Sequence, residues 1–213
     1  MNHFASELAN GIAAMNLSID DAQQQKLLHY LELLKKWNKT YNLTALRDDS
    51  KMVSHHILDS LTLLPYAEHA RTMIDVGSGG GMPGIPTAIC RPDLQITLID
   101  SNSKKTTFLQ QAAIELGLKN LSVSSSRVEN ILDKRADIVT SRAFAELCNF
   151  VQLTRHLLNE NGHWVAMKGV YPNEELFRLP ENVEAYQIDS LTVPTLDAER
   201  HMVLLRPKHE ETK

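Results

Sequence analysis

The segment from Ile74 to Gly84 constrains the fold of this chain more than any other part of the sequence. It reads Ile74-Asp75-Val76-Gly77-Ser78-Gly79-Gly80-Gly81-Met82-Pro83-Gly84. A strand-forming run passes directly into glycines, which have no Cβ and let the backbone turn sharply and approach another group closely. The segment therefore predicts a strand, a tight glycine turn and the start of a helix.

Short strand-like runs alternate with helical segments from residue 72 onward. The predicted strands are Thr72–Val76, Leu94–Asp100, Leu121–Ser124, Asp137–Ser141, Trp164–Met167, Val183–Leu191 and His201–Leu205. A helix over Lys104–Leu116, stopped by Gly117, separates the second strand from the third. This alternation is typical of βαβ units and a parallel sheet. The last two runs are joined by a loop, so we expect a mostly parallel, seven-stranded, Rossmann-like α/β sheet that ends in an antiparallel hairpin.

The first 70 residues follow a helical pattern instead. One long helix, with an N-cap signal at Ser18 and Asp21, carries an apolar stripe formed by Leu27, Leu28, Leu31, Leu34 and Trp37. A further helix carries apolar residues from Val53 to Leu64 and is expected to end at Pro65. We predict a helical extension over residues 1–70 and a sheet-containing domain over residues 71–213, which together form one compact unit.

A carboxylate follows the glycine turn at the end of the next predicted strand. Asp100 lies 23 residues after Gly77, where an acid can accept hydrogen bonds from ribose hydroxyls. Together with the strand and the following helix, this spacing predicts a nucleoside-type cofactor. Val128 and Glu129, which follow the third strand, are candidates for the adenine side of that site, with an ordinary surface loop as the alternative.

Two classes of cofactor fit the glycine turn. The glycines at positions 79, 81 and 84 match the dinucleotide fingerprint, so a nicotinamide-dependent oxidoreductase is one alternative. Asp75, however, would repel a pyrophosphate, and Pro83 removes an N–H where the helix should bind phosphate. An acid followed by Gly77, Gly79 and Gly81 instead favours S-adenosylmethionine, which carries a sulfonium and an ammonium group.

Composition excludes several other classes of protein. With 213 residues, 43% hydrophobic and 23% charged, the chain has an ordinary globular composition. Its two cysteines, Cys90 and Cys148, support neither a disulfide framework nor a zinc site. The sequence shows no membrane-spanning segment and no secretory signal, so we expect a cytoplasmic protein.

The residues at the ends of the fourth and fifth predicted strands limit the group that a methyltransferase could modify. The Asn/Asp-Pro-Pro-aromatic segment that serves exocyclic amines is absent after Ser141, and both cysteines are expected to be buried structural thiols and not nucleophiles. Arg142 stands where an acid would assist Lys168 in deprotonating a ribose hydroxyl. A guanine N7 fits, because its lone pair attacks without deprotonation.

Arg142 and Lys168 are the candidates on the substrate side, and no general base is assigned. Arg142 could donate to guanine O6, hold the cofactor, or form a surface ion pair with Glu146 at i+4.

The end of the long N-terminal helix combines aromatic, polar and cationic residues, as RNA-facing surfaces do. Lys39, Tyr41, Asn42 and His56 are the RNA-binding candidates. The histidines and acid at positions 55, 56 and 59 resemble metal ligands on one helix face, but no third ligand is identifiable, so we expect no metal.

The formal net charge of −4 does not argue against RNA, because residues 26–56 hold six cationic and three acidic residues. Residues 172–199 hold seven acids and one arginine. Charges more than about 8 Å apart are largely screened at physiological salt. We therefore expect RNA to dock on the N-terminal helices, with the acidic C-terminal hairpin turned away.

Several segments together resemble one family. They are Trp37-Asn38-Lys39-Thr40-Tyr41-Asn42-Leu43-Thr44, His56-Ile57-Leu58-Asp59-Ser60, the glycine turn continued through Ile85-Pro86, Ser141-Arg142-Ala143-Phe144-Ala145 and Met167-Lys168-Gly169. In this order they resemble the bacterial ribosomal RNA small subunit methyltransferase G family, also called the glucose-inhibited division protein B family.

The resemblance implies a class I S-adenosylmethionine-dependent methyltransferase fold with an N-terminal helical extension. It also implies transfer of a methyl group to N7 of one guanine in 16S ribosomal RNA, with that RNA or the small ribosomal subunit as partner and no obligate protein partner. The family's cofactor contacts fall on Gly77, Met82, Val128, Glu129 and Arg142. Met82 stands where large apolar residues such as Leu or Phe are usual in the family.

Overall fold

In the computed structural model, which describes residues 2–46 and 48–208, seven strands form one sheet in the order β3-β2-β1-β4-β5-β7-β6. The strands are β1 (Thr72–Val76), β2 (Gln95–Asp100), β3 (Leu121–Ser125), β4 (Ala136–Arg142), β5 (Leu158–Lys168), β6 (Val183–Leu191) and β7 (Arg200–Pro207). Strands β1 to β5 pair in parallel, whereas β7 pairs antiparallel with both β5 and β6. The predicted α/β sheet with a C-terminal antiparallel hairpin is confirmed.

Strand β5 differs most from its predicted bounds, because it begins at Leu158 and not at Trp164. Its first half reads Asn159-Glu160-Asn161-Gly162, which lacks both alternation and branched residues and so gives no strand signal. These residues stand opposite the single residue Asp137 of β4, where the register shifts.

Seven α-helices accompany the sheet in the described residues. They are α1 (Asn2–Ala14), α2 (Asp21–Tyr41), α3 (Asp59–Leu61), α4 (Gly84–Cys90), α5 (Ser103–Glu115), α6 (Leu147–Thr154) and α7 (Asn173–Phe177). The cap of α2 is Asp20, and the predicted cap at Ser18 is wrong: Asp20 accepts from the Gln23 N–H at 2.8 Å, and the Gln23 side chain accepts from the Asp20 N–H at 3.0 Å. This capping box satisfies two N–H groups that the helix start leaves unpaired.

The helix predicted over residues 53–64 consists of several short pieces. A 3-10 turn over Asp49–Lys51 precedes a π-helical segment over Val53–Leu58, which continues into α3. Pro65 lies in the following 3-10 turn, Leu64–Ala67, and does not mark the helix end itself. The π-helical segment carries the two adjacent histidines of the sequence.

Successive side chains of a strand point to opposite faces of the sheet, and the strands here carry apolar residues on both faces. Both faces are therefore covered. On one face Leu98 and Val165 share a core with α4, α5 and N-terminal side chains such as Leu27 and Leu34. On the other face Val139 and Trp164 pack with α6. The N-terminal extension thus lies against the sheet through a common core. No helix among the described residues is long and apolar enough to cross a membrane.

Candidate active site

The glycine turn forms at the carboxyl end of β1, the edge where open α/β sheets bind ligands. Gly77, Gly79 and Gly81 have φ values of 70°, 57° and 94°, in the left-handed region that side chains disfavour. A Cβ on Gly77 would lie 2.5 Å from Phe144 Cδ2. Position 77 therefore requires glycine for space as well as for backbone conformation.

Asp100 holds the turn in place from the end of β2. One carboxylate oxygen accepts from the Gly79 N–H at 3.0 Å, and the other accepts from the Asn102 N–H at 2.8 Å. The Lys105 ammonium lies 4.0 Å from the same carboxylate. Asp100 therefore contributes to the backbone geometry of the turn, in addition to any contact with a ligand.

A cavity of about 380 Å³ opens beside the turn, between the ends of β1, β2 and β4. Of the predicted cofactor contacts, Gly77, Asp100, Val128 and Glu129 line it. Val128 is buried and Glu129 is exposed, both in a 3-10 turn over Val128–Asn130. The cavity thus brings an apolar surface, a glycine backbone and carboxylates to one place, as an adenosine group requires.

Asp75 lies beneath the glycine turn and not on the wall of this cavity. It is 0% exposed, and its Oδ2 accepts from the Gly84 N–H at 3.0 Å. Its Oδ1 is buried without a partner among the described residues. Burial raises the pKa of Asp75 to about 7, with the charge of Arg142 acting in the opposite direction. In the structure its contact is with the start of α4, whereas the sequence predicts a contact with the cationic part of the cofactor.

Arg142 ends β4, and its side chain is partly buried. Its Nη1 donates to the His55 carbonyl at 3.0 Å and to Asp59 Oδ2 at 2.9 Å, and its Nη2 donates to Met82 Sδ at 3.2 Å. The alternative surface pair with Glu146 does not form, and Glu146 pairs with Arg178 instead. Met82 and Arg142, both predicted cofactor contacts, are therefore in contact with each other.

Asp59 joins Arg142 to a second arginine. Its buried carboxylate accepts from Arg142 through one oxygen and from Arg200 Nε through the other at 2.7 Å. Such charge-assisted hydrogen bonds are among the stronger ones in proteins. Arg200 is not among the residues predicted from the sequence, since β7 offers no motif around it. Asp59 was predicted only as part of a possible metal-ligand set and of a family segment, without a link to Arg142.

A second cavity of about 440 Å³ contains these groups. It is lined by Leu46, His55, His56, Asp59, Arg142, Ala143, Met167, Lys168, Gly169 and Arg200. Ala143 lines both cavities and has a φ of 57°, a conformation that a non-glycine residue adopts only at a cost. The two cavities therefore meet at the turn that follows β4.

His56 and Lys168 both line the second cavity but differ in their hydrogen-bond partners. His56 is 4% exposed, and burial followed by the charge of Arg142 lowers its pKa to about 4, so the ring is neutral at pH 7. Its Nε2 lies 3.2 Å from Thr44 Oγ1, and its Nδ1 is buried without a partner among the described residues. Lys168 Nζ donates to Glu175 Oε2 at 2.7 Å and to the Ala145 carbonyl at 3.1 Å.

The remaining RNA-binding candidates lie at the end of α2. Tyr41 is 40% exposed with its ring centroid 5.3 Å from that of Trp37, and Asn42 caps the helix in the left-handed conformation. Lys39 and Asn42 line a third cavity, of about 400 Å³, which shares Leu46 with the second. Lys39 and Asn42 thus lie in a cavity adjacent to the second one, whereas Tyr41 lines neither cavity. Among residues 2–46 and 48–208, no three His, Cys, Asp or Glu side chains are grouped as metal ligands.

Solved structures with a similar fold include methyltransferases. A ribosomal protein L11 methylase from Lactobacillus delbrueckii subsp. bulgaricus superposes with a TM-score of 0.54 at 16% identity, over 71% of this chain and 77% of that one. TrmN from Thermus thermophilus superposes with a TM-score of 0.55 at 14% identity, over 80% of this chain and 53% of that one. At these identities the similarity establishes the methyltransferase fold and nothing finer.

Sequence relatives match almost the whole chain. Ribosomal RNA small subunit methyltransferase G of Neisseria meningitidis serogroup C is 64% identical over 201 residues, which cover 94% of this chain and 97% of the relative. The protein of the same name from Chromobacterium violaceum is 55% identical over 204 residues, covering 95% of this chain and 98% of the relative. The family model described as rRNA small subunit methyltransferase G matches residues 23–203. The chain is therefore a methyltransferase and belongs to the rRNA small subunit methyltransferase G family.

Proposed function

We propose that this protein transfers a methyl group from S-adenosylmethionine to N7 of a specific guanine in 16S ribosomal RNA. The observation that carries the proposal is the meeting of two cavities at Ala143, one beside the glycine turn and one lined by Arg142 and Lys168. A methyl donor and a base that occupied them would be neighbours. Membership in the family, whose relatives are named for the small-subunit RNA, supplies the substrate class.

The residues around the first cavity fit the proposed cofactor. The Gly77 backbone leaves the space that a side chain would fill, Val128 offers an apolar surface for the adenine, and Asp100 and Glu129 offer acceptors for hydroxyl groups. When bound, S-adenosylmethionine supplies an activated methyl group on a sulfonium. Five other residues remain proposed cofactor residues although they do not line this cavity. We propose that they hold the turn in shape or contact the cofactor from the side of the second cavity: Asp75, Gly79, Gly81, Met82 and Arg142.

The second cavity suits a nucleophile that needs no general base. Its carboxylate, Asp59, already accepts from two arginines, and Lys168 is paired with Glu175. His56 is neutral at pH 7 but deeply buried. A guanine N7 attacks through an in-plane lone pair, so the protein needs only to align donor and acceptor and to exclude water. We propose that Arg142 and Lys168 orient the base from this cavity.

Cysteine chemistry is not favoured for this site. Burial raises the pKa of the Cys90 thiol to about 12, so it stays protonated at neutral pH. Cys148 lies in α6, outside both cavities. A covalent thiolate mechanism, which a pyrimidine carbon would need, therefore lacks its nucleophile here.

The RNA-binding role of Lys39, Tyr41, Asn42 and His56 remains part of the proposal, as does action in the cytoplasm without an obligate protein partner. Lys39 and Asn42 line the cavity that shares Leu46 with the second cavity, and Tyr41 stands next to Asn42 in the chain, so an RNA strand would approach the base pocket from this side. His56 is buried and would contact only a base inserted into the second cavity.

Methyl transfer can be tested directly. Small-subunit RNA that lacks the modification is incubated with the protein and labelled S-adenosylmethionine, and N7-methylguanine is mapped by chain cleavage at the modified base. We expect one labelled guanine, and Arg142→Gln to lower kcat/KM by about 10-fold to 100-fold, the range for losing one bidentate base contact. Arg178→Gln, which removes an exposed arginine with two surface ion pairs, serves as the matched control.

Absence of transfer to naked RNA and to subunits at every assembly stage would contradict the proposal. Calorimetry then separates the alternatives. Binding of NAD in preference to S-adenosylmethionine would support an oxidoreductase, whereas RNA binding without either cofactor would support a non-catalytic RNA-binding role.

A further inference from the structure

A cavity of about 860 Å³ lies at the opposite edge of the sheet from the active site. It is formed where β4 and β5 begin, whereas Arg142 and Lys168 stand where these strands end. The seven residues of β4, at about 3.3 Å per residue, put about 20 Å between the two places. The cavity is therefore separate from the proposed methyl-transfer site.

Irregular strand geometry builds this cavity. Residues 159–162 of β5 stand opposite one residue of β4, and a Cβ on Gly162 would lie 2.8 Å from the Ala136 carbonyl oxygen. On β6 the register shifts around Tyr186, and its ring lies at the cavity, with the Arg206 guanidinium 5.1 Å from the ring centroid. Bulges redirect side chains next to functional sites, and here two of them border one cavity.

The cavity is rich in uncompensated positive charge. Four cationic side chains line it, Arg135, Arg155, Arg206 and Lys208, against one carboxylate, Glu160. Arg206 is paired with Glu184 from the neighbouring strand at 2.6 Å. The side chains of the other three form no hydrogen bond or ion pair with any residue in the described ranges 2–46 and 48–208.

We propose that these four cationic residues and Tyr186, here named the distal basic cleft, bind phosphate groups of the RNA substrate away from the methylated base. The inference rests on the proposed RNA substrate. Arginine binds phosphate oxygens through two parallel N–H groups, and phosphate contacts orient a nucleic acid without reading its sequence. A folded RNA is large enough to reach both edges of the sheet.

The cleft revises one expectation from the sequence. The C-terminal hairpin is acidic as a whole, yet its edge at Tyr186 and Arg206 contributes to a cationic surface. Arg206 follows the acidic stretch of residues 172–199, and although Glu184 of that stretch pairs with it, we infer that this end of the hairpin can face RNA.

The test compares the double variant Arg135→Gln/Arg155→Gln with the wild type in steady-state methylation of small-subunit RNA. Both residues are exposed, so their removal should leave the fold intact. We expect KM for the RNA to rise about 10-fold, with kcat and the affinity for S-adenosylmethionine unchanged. The slope of log K against log salt should become shallower by about 1.5, the value for two phosphate contacts. Lys119→Gln is the matched control, because it removes an exposed cation just before β3, the strand that is three positions from β4 in the sheet.

Direct RNA binding, measured in parallel, keeps the two proposals distinguishable. If the wild type methylates no RNA but the double variant still binds RNA more weakly than the wild type, the cleft proposal is supported and the proposed activity is refuted. Equal KM and equal salt slope in the double variant and Lys119→Gln would overturn the cleft proposal. The cleft proposal would also be overturned if inorganic phosphate or ATP stabilised the wild type but not the double variant, while the two proteins bound RNA with equal affinity. An effect confined to protein-containing subunits and absent with naked RNA would indicate an acidic protein partner instead.

Discussion

Replacing Asp75 by asparagine should abolish a large pH dependence of stability that the wild-type protein shows. Burial raises the pKa of this carboxyl from its ordinary value of 3.8 to about 7 in the folded state. One pKa unit corresponds to about 1.4 kcal/mol, so ionised Asp75 costs the folded state about 4 kcal/mol. Asparagine has nearly the same shape and can still accept from the Gly84 N–H, but it carries no charge.

The sign of the effect follows from proton binding. Between pH 4 and 7 the folded state holds a proton on Asp75 that the unfolded state has lost, so stability falls as the pH rises through this range. Below the unfolded pKa both states are protonated and the contribution of neutral Asp75 is fully retained. The Asp75→Asn variant should therefore gain up to about 4 kcal/mol relative to the wild type between pH 4 and pH 8.

Urea unfolding followed by tryptophan fluorescence, at a series of pH values across this range, measures the difference. Other titrating groups are common to both proteins and cancel. Asp93→Asn, at an exposed carboxylate paired with Arg91, controls for loss of a charge at the surface. Parallel stability curves for the wild type and Asp75→Asn would refute the reasoning. Repeating the series with saturating S-adenosylmethionine tests the sequence prediction for Asp75, because a nearby cation would lower its pKa and flatten the wild-type curve.

Three further substitutions probe the packing around the turn and the arginines. Tyr30→Phe removes the 2.6 Å hydrogen bond to the Gly80 carbonyl and should cost about 1–3 kcal/mol in urea unfolding; an unchanged midpoint would contradict this role. Gly84→Ala places a Cβ in steric conflict with the Leu98 side chain. It should cost more than Gly117→Ala, whose Cβ meets no atom within 4 Å and which has only the left-handed backbone penalty of about 1–2 kcal/mol. Asp59→Asn should lower kcat/KM for RNA methylation at least 10-fold, the range for losing a charge-assisted hydrogen bond, with a smaller effect on S-adenosylmethionine affinity; equal kinetics would exclude a positioning role.

Much of the site was predictable because its signals are local. The strand, the glycines and Asp100 lie within one βαβ unit, and a parallel crossover brings the ends of adjacent strands together whatever the rest of the chain does. For the same reason Val128 and Glu129, which follow β3, were candidates from their position, with an ordinary loop as the alternative, and the family resemblance then favoured the cofactor contact.

The roles of the remaining site residues depend on side chains that are distant in sequence. Nothing near Arg142 indicates that its partner is Asp59, 83 residues away, in preference to Glu146, four residues away. Helical spacing favours the local pair, but Arg142 ends a strand, so an i+4 relation does not bring the two side chains together. Arg200 was missed because antiparallel pairing of β7 beside β5 delivers it to the cavity without a motif.

The sequence by itself determined the sheet, its order of elements and the position of the glycine turn, because hydrophobic periodicity and glycine conformation act over a few residues. Tertiary structure alone decided that Asp75 is buried beneath the turn, that Asp59 joins two arginines, and that cationic residues from β7 and the loops before β4 and β5 line one cleft. Burial and charge pairing depend on which elements meet in space, and no local pattern encodes those distances.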